Sequence, residues 1–185
     1  MTRPTTARGL NRSIGVFLVG FMGSGKTTVG ELLSRRLGWR FEDLDRRIES
    51  WQGSPIPTIF NNHGEARFRQ IEHEALLQLI REMASEPTVA ALGGGTLVQP
   101  ENRSTLEESG LPAIFLDAPV GDLWERCQSA EEERPLARDK NQFQQLYAAR
   151  QKLYLEAAAT IDTTGKDLDA IAAEIASWLA LAQAR

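Results

Sequence analysis

The stretch GFMGSGKTTVG, residues 20–30, decides how the chain is read. Residues 20–27 match G-x-x-x-x-G-K-[ST], directly after the apolar run 14–19 and directly before a helical pattern. Those residue types follow from what such a loop must hold. Glycines let successive backbone N–H groups wrap phosphate oxygens in conformations that a side chain would block. The helix opening near Lys26 turns the positive end of its dipole on the same oxygens. Lys26 adds a mobile cation for the terminal phosphates, and the Thr27 hydroxyl is a ligand for magnesium. The chain is therefore expected to bind a nucleoside triphosphate, as a switch, a motor or a small-molecule kinase. No N-K-x-D guanine-reading motif is present, and the apolar run Val89-Ala90-Ala91-Leu92 ends in three glycines, not in an acidic pair. A small kinase is the class that remains.

The rest of the composition agrees with that class. A chain of 185 residues suffices for one domain with a sizeable core. Hydrophobic residues at 42% and charged residues at 25% exclude a disordered chain. The net charge of −4 argues against general nucleic-acid binding and leaves any anionic substrate to a few placed arginines. The single cysteine, Cys127, excludes a disulfide framework, reads as a small apolar helix residue and suits a cytoplasmic location. Residues 1–13 are polar and read as a disordered tail before a single domain at 14–185. The apolar run 14–22 is too short to span a bilayer, so no membrane partner is expected.

Short apolar runs alternate with longer helical ones, which predicts a parallel sheet with helices on both faces. Strands are expected at 14–19, 40–42, 89–92, 113–116 and 160–162. Helices are expected at 26–37, 45–51, 65–83, 101–108, 120–128, 143–158 and 168–181. The segment SAEEERPLARDKN, 129–141, is charged, carries a proline, has no apolar period and reads on composition as a surface loop.

Three further stretches bear on the second reactant. FEDLD, 41–45, puts Asp43 and Asp45 on one side of an extended segment, at the carboxyl edge where open α/β sheets bind ligands. One carboxylate can face magnesium and its waters and the other a substrate hydroxyl; alternatively Asp45 caps a helix beginning at Arg46. HGEARFRQIE, 63–72, places Glu65, Arg69 and Glu72 on one helix face. They form surface ion pairs, or they hold a forked guanidinium rigid for carboxylate recognition. LGGGT, 92–96, either brings backbone close to a ligand or is a flexible turn. His63 and His73 lack metal-ligand spacing.

In this order, GFMGSGKTTVG, FEDLDRRIE, GEARFRQIE, LGGGT, ERPL and RQKLY resemble the successive signatures of the shikimate kinase family, over nearly the whole chain. One departure is Lys152, where the family usually has proline. The resemblance implies an α/β fold: a three-layer P-loop kinase of nucleoside-monophosphate-kinase type, its five-stranded parallel sheet flanked by helices, with a mobile lid at about 129–141. It implies phosphorylation of shikimate by ATP, giving shikimate 3-phosphate and ADP, on the route to chorismate and aromatic amino acids. ATP is implied to bind at Gly23, Ser24, Gly25, Lys26, Thr27 and Thr28, with Arg134 reaching the phosphates from the lid. Arg126 and the loop 163–166 are implied near adenine. Thr27 and, through water, Asp43 are implied to hold Mg²⁺. Asp45 is implied as the base on the shikimate hydroxyls, Arg69 and Arg150 as the grip on the carboxylate, and Gly93, Gly94 and Gly95 as the lining of the ring site. A monomer is expected. Gluconate kinase is the rival among enzymes, since it shares the phosphate loop but is not expected to keep the whole set. A non-catalytic sensing module would need a further domain.

Overall fold

Gly15–Val19 (β1) is apolar and buried at every position, as a central parallel strand covered on both faces must be. The computed structural model describes residues 15–129 and 139–184. From β1 the chain runs through α1 (Lys26–Leu37), β2 (Arg40–Asp43), α2 (Leu44–Gln52), α3 (Ile56–Met83) and β3 (Thr88–Ala91). A short 3-10 turn (Thr96–Val98) leads to α4 (Pro100–Ser109), β4 (Ala113–Asp117) and α5 (Val120–Gln128). Then come α6 (Lys140–Tyr154), β5 (Ala159–Asp162) and α7 (Leu168–Gln183). The sheet has five strands in the order β2-β3-β1-β4-β5, each neighbouring pair parallel.

The period of two along β1 creates the three layers. Phe17 and Val19 enter a core with Leu44, Ile48, Ile71, Leu76 and Phe143, under α2, α3 and α6. Val16 and Leu18 enter a second core with Val29, Leu33, Ile171, Ile175 and Leu179, under α1 and α7. Because all strands point the same way, their carboxyl ends share one edge. Val19 lies level with Phe115, and Asp43 with Ala91. The phosphate loop after β1, the glycines after β3 and the acidic turn after β2 are therefore brought together by topology.

Three expectations need correction. Asp43 and Asp45 do not share an extended segment: β2 ends at Asp43, and α2 starts one residue later. Asp43, not Asp45, is the cap, its Oδ1 accepting from Asp45 N at 3.0 Å and Arg46 N at 3.3 Å. Secondly, α3 begins at Ile56, with Pro57 in its first turn where proline is tolerated, and breaks at Gly64 (φ 76°, ψ 170°). The helix expected from residue 65 is thus the second limb of a longer element. Thirdly, α6 starts at Lys140, with Asp139 capping Gln142 N at 2.7 Å, so the end of the expected lid is helical. It stops at Tyr154, short of residue 158. Lys152 sits in its last turn without breaking it. The tail at 1–13, Arg134 and the body of the lid lie outside the described residues.

Candidate active site

The phosphate loop carries glycines at Gly23 (φ 81°) and Gly25 (φ 86°), conformations that L side chains rarely adopt. Gly25 is the N-cap of α1, with no side chain blocking the amides of the first turn. Lys26 folds back on the loop, its Nζ donating to Gly20 O at 2.9 Å and Phe21 O at 3.0 Å. Both bonds are to neutral carbonyls, which a phosphate displaces readily because its charge makes the stronger acceptor. Ser24 is buried, and its hydroxyl has no hydrogen-bond partner. Thr28 follows in the first turn of α1. Arg126, on α5, reaches the same loop, donating to Gly23 O at 3.4 Å. The loop after β5 is anchored nearby by Thr163, which donates to Asp117 O through its amide and its hydroxyl, each at 2.9 Å.

Thr27 Oγ1 donates to Asp43 Oδ2 at 2.8 Å. Two hard oxygen donors thus lie together where α1 and the end of β2 meet. Among the described residues no group of three or more His, Cys, Asp or Glu side chains is placed to hold a metal ion. His63 is exposed, while His73 Nδ1 pairs with Asn102 Oδ1 at 2.8 Å.

Asp45 stands in the first turn of α2, half-buried against the glycine loop. A Cβ built on Gly93 would lie 2.5 Å from Asp45 Oδ1, so only glycine permits this approach. Burial, then the charge of Asp43, raises the Asp45 carboxyl from its ordinary 3.8 to about 6, with Glu72 and Glu49 adding to the rise and Lys26 opposing it. Its proton affinity thus falls within reach of neutral acid–base chemistry.

Arg69 and Arg150 meet at the other end of that loop. A Cβ on Gly95 would lie 3.0 Å from Arg69 Nη1 and 3.5 Å from Arg150 Nη2. Arg69 is held by two carboxylates. Its Nη1 donates to Glu72 Oε2 at 2.9 Å, and its Nη2 to Glu65 Oε1 at 3.1 Å. Glu72 is almost fully buried and also accepts from Thr96 Oγ1 at 2.8 Å, so the guanidinium is tied to the loop that it faces. Both readings of the Glu65–Arg69–Glu72 face hold in part: the ion pairs form, and they fix Arg69. Arg150 differs. Among the described residues no carboxylate lies within ion-pair distance of it, its Nε is buried without a partner, and its guanidinium sits over the Phe21 ring at 5.9 Å.

The structure therefore gathers Lys26, Thr27, Asp43, Asp45, Arg69, Gly93, Gly94, Gly95 and Arg150 at one edge, with Arg126 at its rim. The sequence reading assigned no role to Phe21 or Tyr154. The latter's signal was its place four residues after Arg150, one helical turn along the same face.

Comparison with known proteins identifies the family. The family model for shikimate kinase matches residues 22–180. Shikimate kinase from Persephonella marina is 39% identical over 160 residues, which covers 86% of this chain and 95% of that protein. Shikimate kinase from Geobacter metallireducens is 41% identical over 167 residues, 89% of this chain and 90% of that protein. The structure of shikimate kinase from Acinetobacter baumannii in complex with shikimate superposes with a TM-score of 0.82 at 34% identity, covering 90% of this chain and 93% of that one. With a family model matched over residues 22–180 and five parallel strands in one sheet, the chain belongs to the shikimate kinase family.

Proposed function

We propose that the chain transfers the γ-phosphoryl group of ATP to the 3-hydroxyl of shikimate, giving ADP and shikimate 3-phosphate on the route to chorismate and the aromatic amino acids. The observation that carries this reading is the convergence of Asp45, Arg69 and Arg150 on the three glycines beside the phosphate loop. An acceptor for a hydroxyl proton at one end and, at the other, a guanidinium with no carboxylate beside it among the described residues describe a site for a hydroxy acid. Arg69 and Arg150 hold the carboxylate, and Gly93, Gly94 and Gly95 let the ring approach the backbone. Asp45 accepts the proton as the hydroxyl oxygen bonds to the γ-phosphorus and the bond to ADP breaks. Lys26, the amides of residues 23–28 and Arg134 stabilise charge on the transferred group, and Arg126 with the loop 163–166 borders adenine.

The Thr27–Asp43 pair fits Mg²⁺, a hard ion that keeps several waters and takes few protein ligands beside the substrate phosphates. Magnesium bound with ATP neutralises charge on the phosphate oxygens. No described helix is long and apolar enough to cross a membrane. A monomer working in the cytoplasm as one kinase domain completes the proposal.

Coupled ADP release over a panel of hydroxy acids tests the reading. Turnover of shikimate supports it; turnover of gluconate with silence on shikimate overturns it. Two variants test the phosphate side. Lys26→Ala is expected to lower kcat by about 10²–10³-fold, the usual cost of one preorganised cation or donor at the developing charge. Its Tm should stay near that of the parent, because the bonds it loses are to loop carbonyls; near-normal turnover would place the reactive phosphate elsewhere. Asp43→Asn keeps a competent helix cap, so α2 should remain intact. It is expected to lower activity by about 10–100-fold at limiting magnesium. A magnesium titration should shrink that defect; one that leaves it constant removes Asp43 from the metal.

A further inference from the structure

Every carbonyl of the glycine loop has an assigned partner. Gly93 O accepts from Thr96 N at 3.1 Å and Gly95 O from Val98 N at 3.0 Å, both within the loop's own turn. Gly94 O, between them, accepts from outside: Tyr154 Oη donates to it at 2.5 Å across 60 residues of sequence. Gly94 is the point where the two halves of the site touch. A Cβ built on it would lie 3.7 Å from Arg150 Nη1, 3.7 Å from Gly20 O and 3.8 Å from Met22 N. Tyr154 is almost fully buried, and its ring packs against Phe115 of β4 at 5.2 Å. It therefore has little freedom to follow a loop that moves.

We infer that Tyr154 is a positioning residue for the acceptor substrate, its hydroxyl fixing Gly94 so that the glycine loop and Arg150 present one rigid carboxylate site. Tyr154 and Arg150 stand one turn apart on α6. The same helix thus supplies the guanidinium and sets the distance of the backbone that it faces. Burial pushes the Tyr154 hydroxyl up to about 12, against the pull of Arg150, so it remains a donor at every pH at which the enzyme works. The inference rests on the reading of the pocket as the shikimate site.

Tyr154→Phe removes the donor and keeps the ring. The KM for shikimate is expected to rise about tenfold, the effect of one buried hydrogen bond, with kcat and the KM for ATP within about twofold of the parent. The neutral carboxamide of shikimate supplies a second readout. The parent should prefer the acid strongly, and that preference should narrow in the variant because the guanidinium and its loop are no longer in register. Equal changes for ATP and shikimate, or an unchanged preference for acid over amide, overturn the inference and leave Tyr154 a packing residue. Silence of the parent itself on shikimate overturns the functional reading and this inference with it. Should Tyr154→Phe not fold, 3-fluorotyrosine labelling serves, because the chain has only two tyrosines, Tyr147 and Tyr154. Tyr147→Phe assigns the two fluorine resonances. Shikimate should shift that of Tyr154 and ADP alone should not; a Tyr154 resonance indifferent to shikimate overturns the inference.

Discussion

Asp45→Asn is expected to lower kcat for shikimate by about 10²–10⁴-fold, the usual worth of a general base, and to raise Tm at neutral pH. The two effects share one cause. The carboxyl binds its proton at about 6 in the folded chain and at its ordinary 3.8 once unfolded, because burial and the charges of Asp43, Glu72 and Glu49 outweigh that of Lys26. Between those values folding takes up a proton. The contribution of this group to stability is therefore greatest below about 3.8 and is lost as pH rises through about 6. At pH 7 the ionised carboxylate costs the fold up to about 3 kcal/mol, less whatever solvent at its half-buried surface relieves. An amide of the same shape removes that cost and still hydrogen-bonds the substrate hydroxyl, but it cannot take the proton. In the parent, kcat/KM should fall as pH drops through about 6, and in Asp45→Asn that acid limb should vanish. A variant with near-parental kcat and a raised shikimate KM would reduce Asp45 to a group that orients the hydroxyl.

Arg150→Ala is expected to raise the shikimate KM by about 30-fold or more, from the roughly 2–5 kcal/mol usually lost when a buried carboxylate loses one charged partner. The KM for ATP should hold within about twofold. Arg69→Ala should weaken shikimate as much, and it should also lower Tm. The reason lies in their partners. Removing Arg69 strands Glu72, a carboxylate that is 2% exposed and, among the described residues, otherwise bonded only to Thr96, and breaking a buried pair in this way costs about 3–5 kcal/mol of stability. Arg150 has no carboxylate to strand among the described residues; its removal gives up its seat on Phe21 and its interaction with the Tyr154 hydroxyl, neither of which leaves a buried charge unpaired. Thermal denaturation beside steady-state kinetics separates the two variants. Equal weakening of ATP and shikimate would place both arginines at the nucleotide.

What the sequence disclosed follows the range of the interactions involved. α1 and α5 fell at their expected bounds, because a glycine-rich loop or a proline marks one end and an apolar stripe runs through each. The five strands were legible as apolar runs, and their shared edge followed from parallel pairing. Misreadings arose where local signals compete. Residues 56–64 were assigned to no element, yet Pro55 and Pro57 both suit the start of a helix, so the first limb of α3 was passed over. The run FEDLD reads as alternation until Asp43 caps α2 and rotates Asp45 into the pocket. The contacts that surround the glycine loop and its two arginines join parts of the chain far apart in sequence: Tyr154 to Gly94, Arg150 to Phe21, Thr96 to Glu72. No local pattern announces them, and they became readable only once the sheet had placed its loops side by side.

Product identity tests the central claim most directly. After incubation of the chain with ATP, magnesium and shikimate, phosphorus–proton correlation spectra of the purified product should show one phosphate, coupled to the proton on ring carbon 3. A product with no phosphorus on shikimate, or with phosphorus coupled to a different ring proton, would contradict the account.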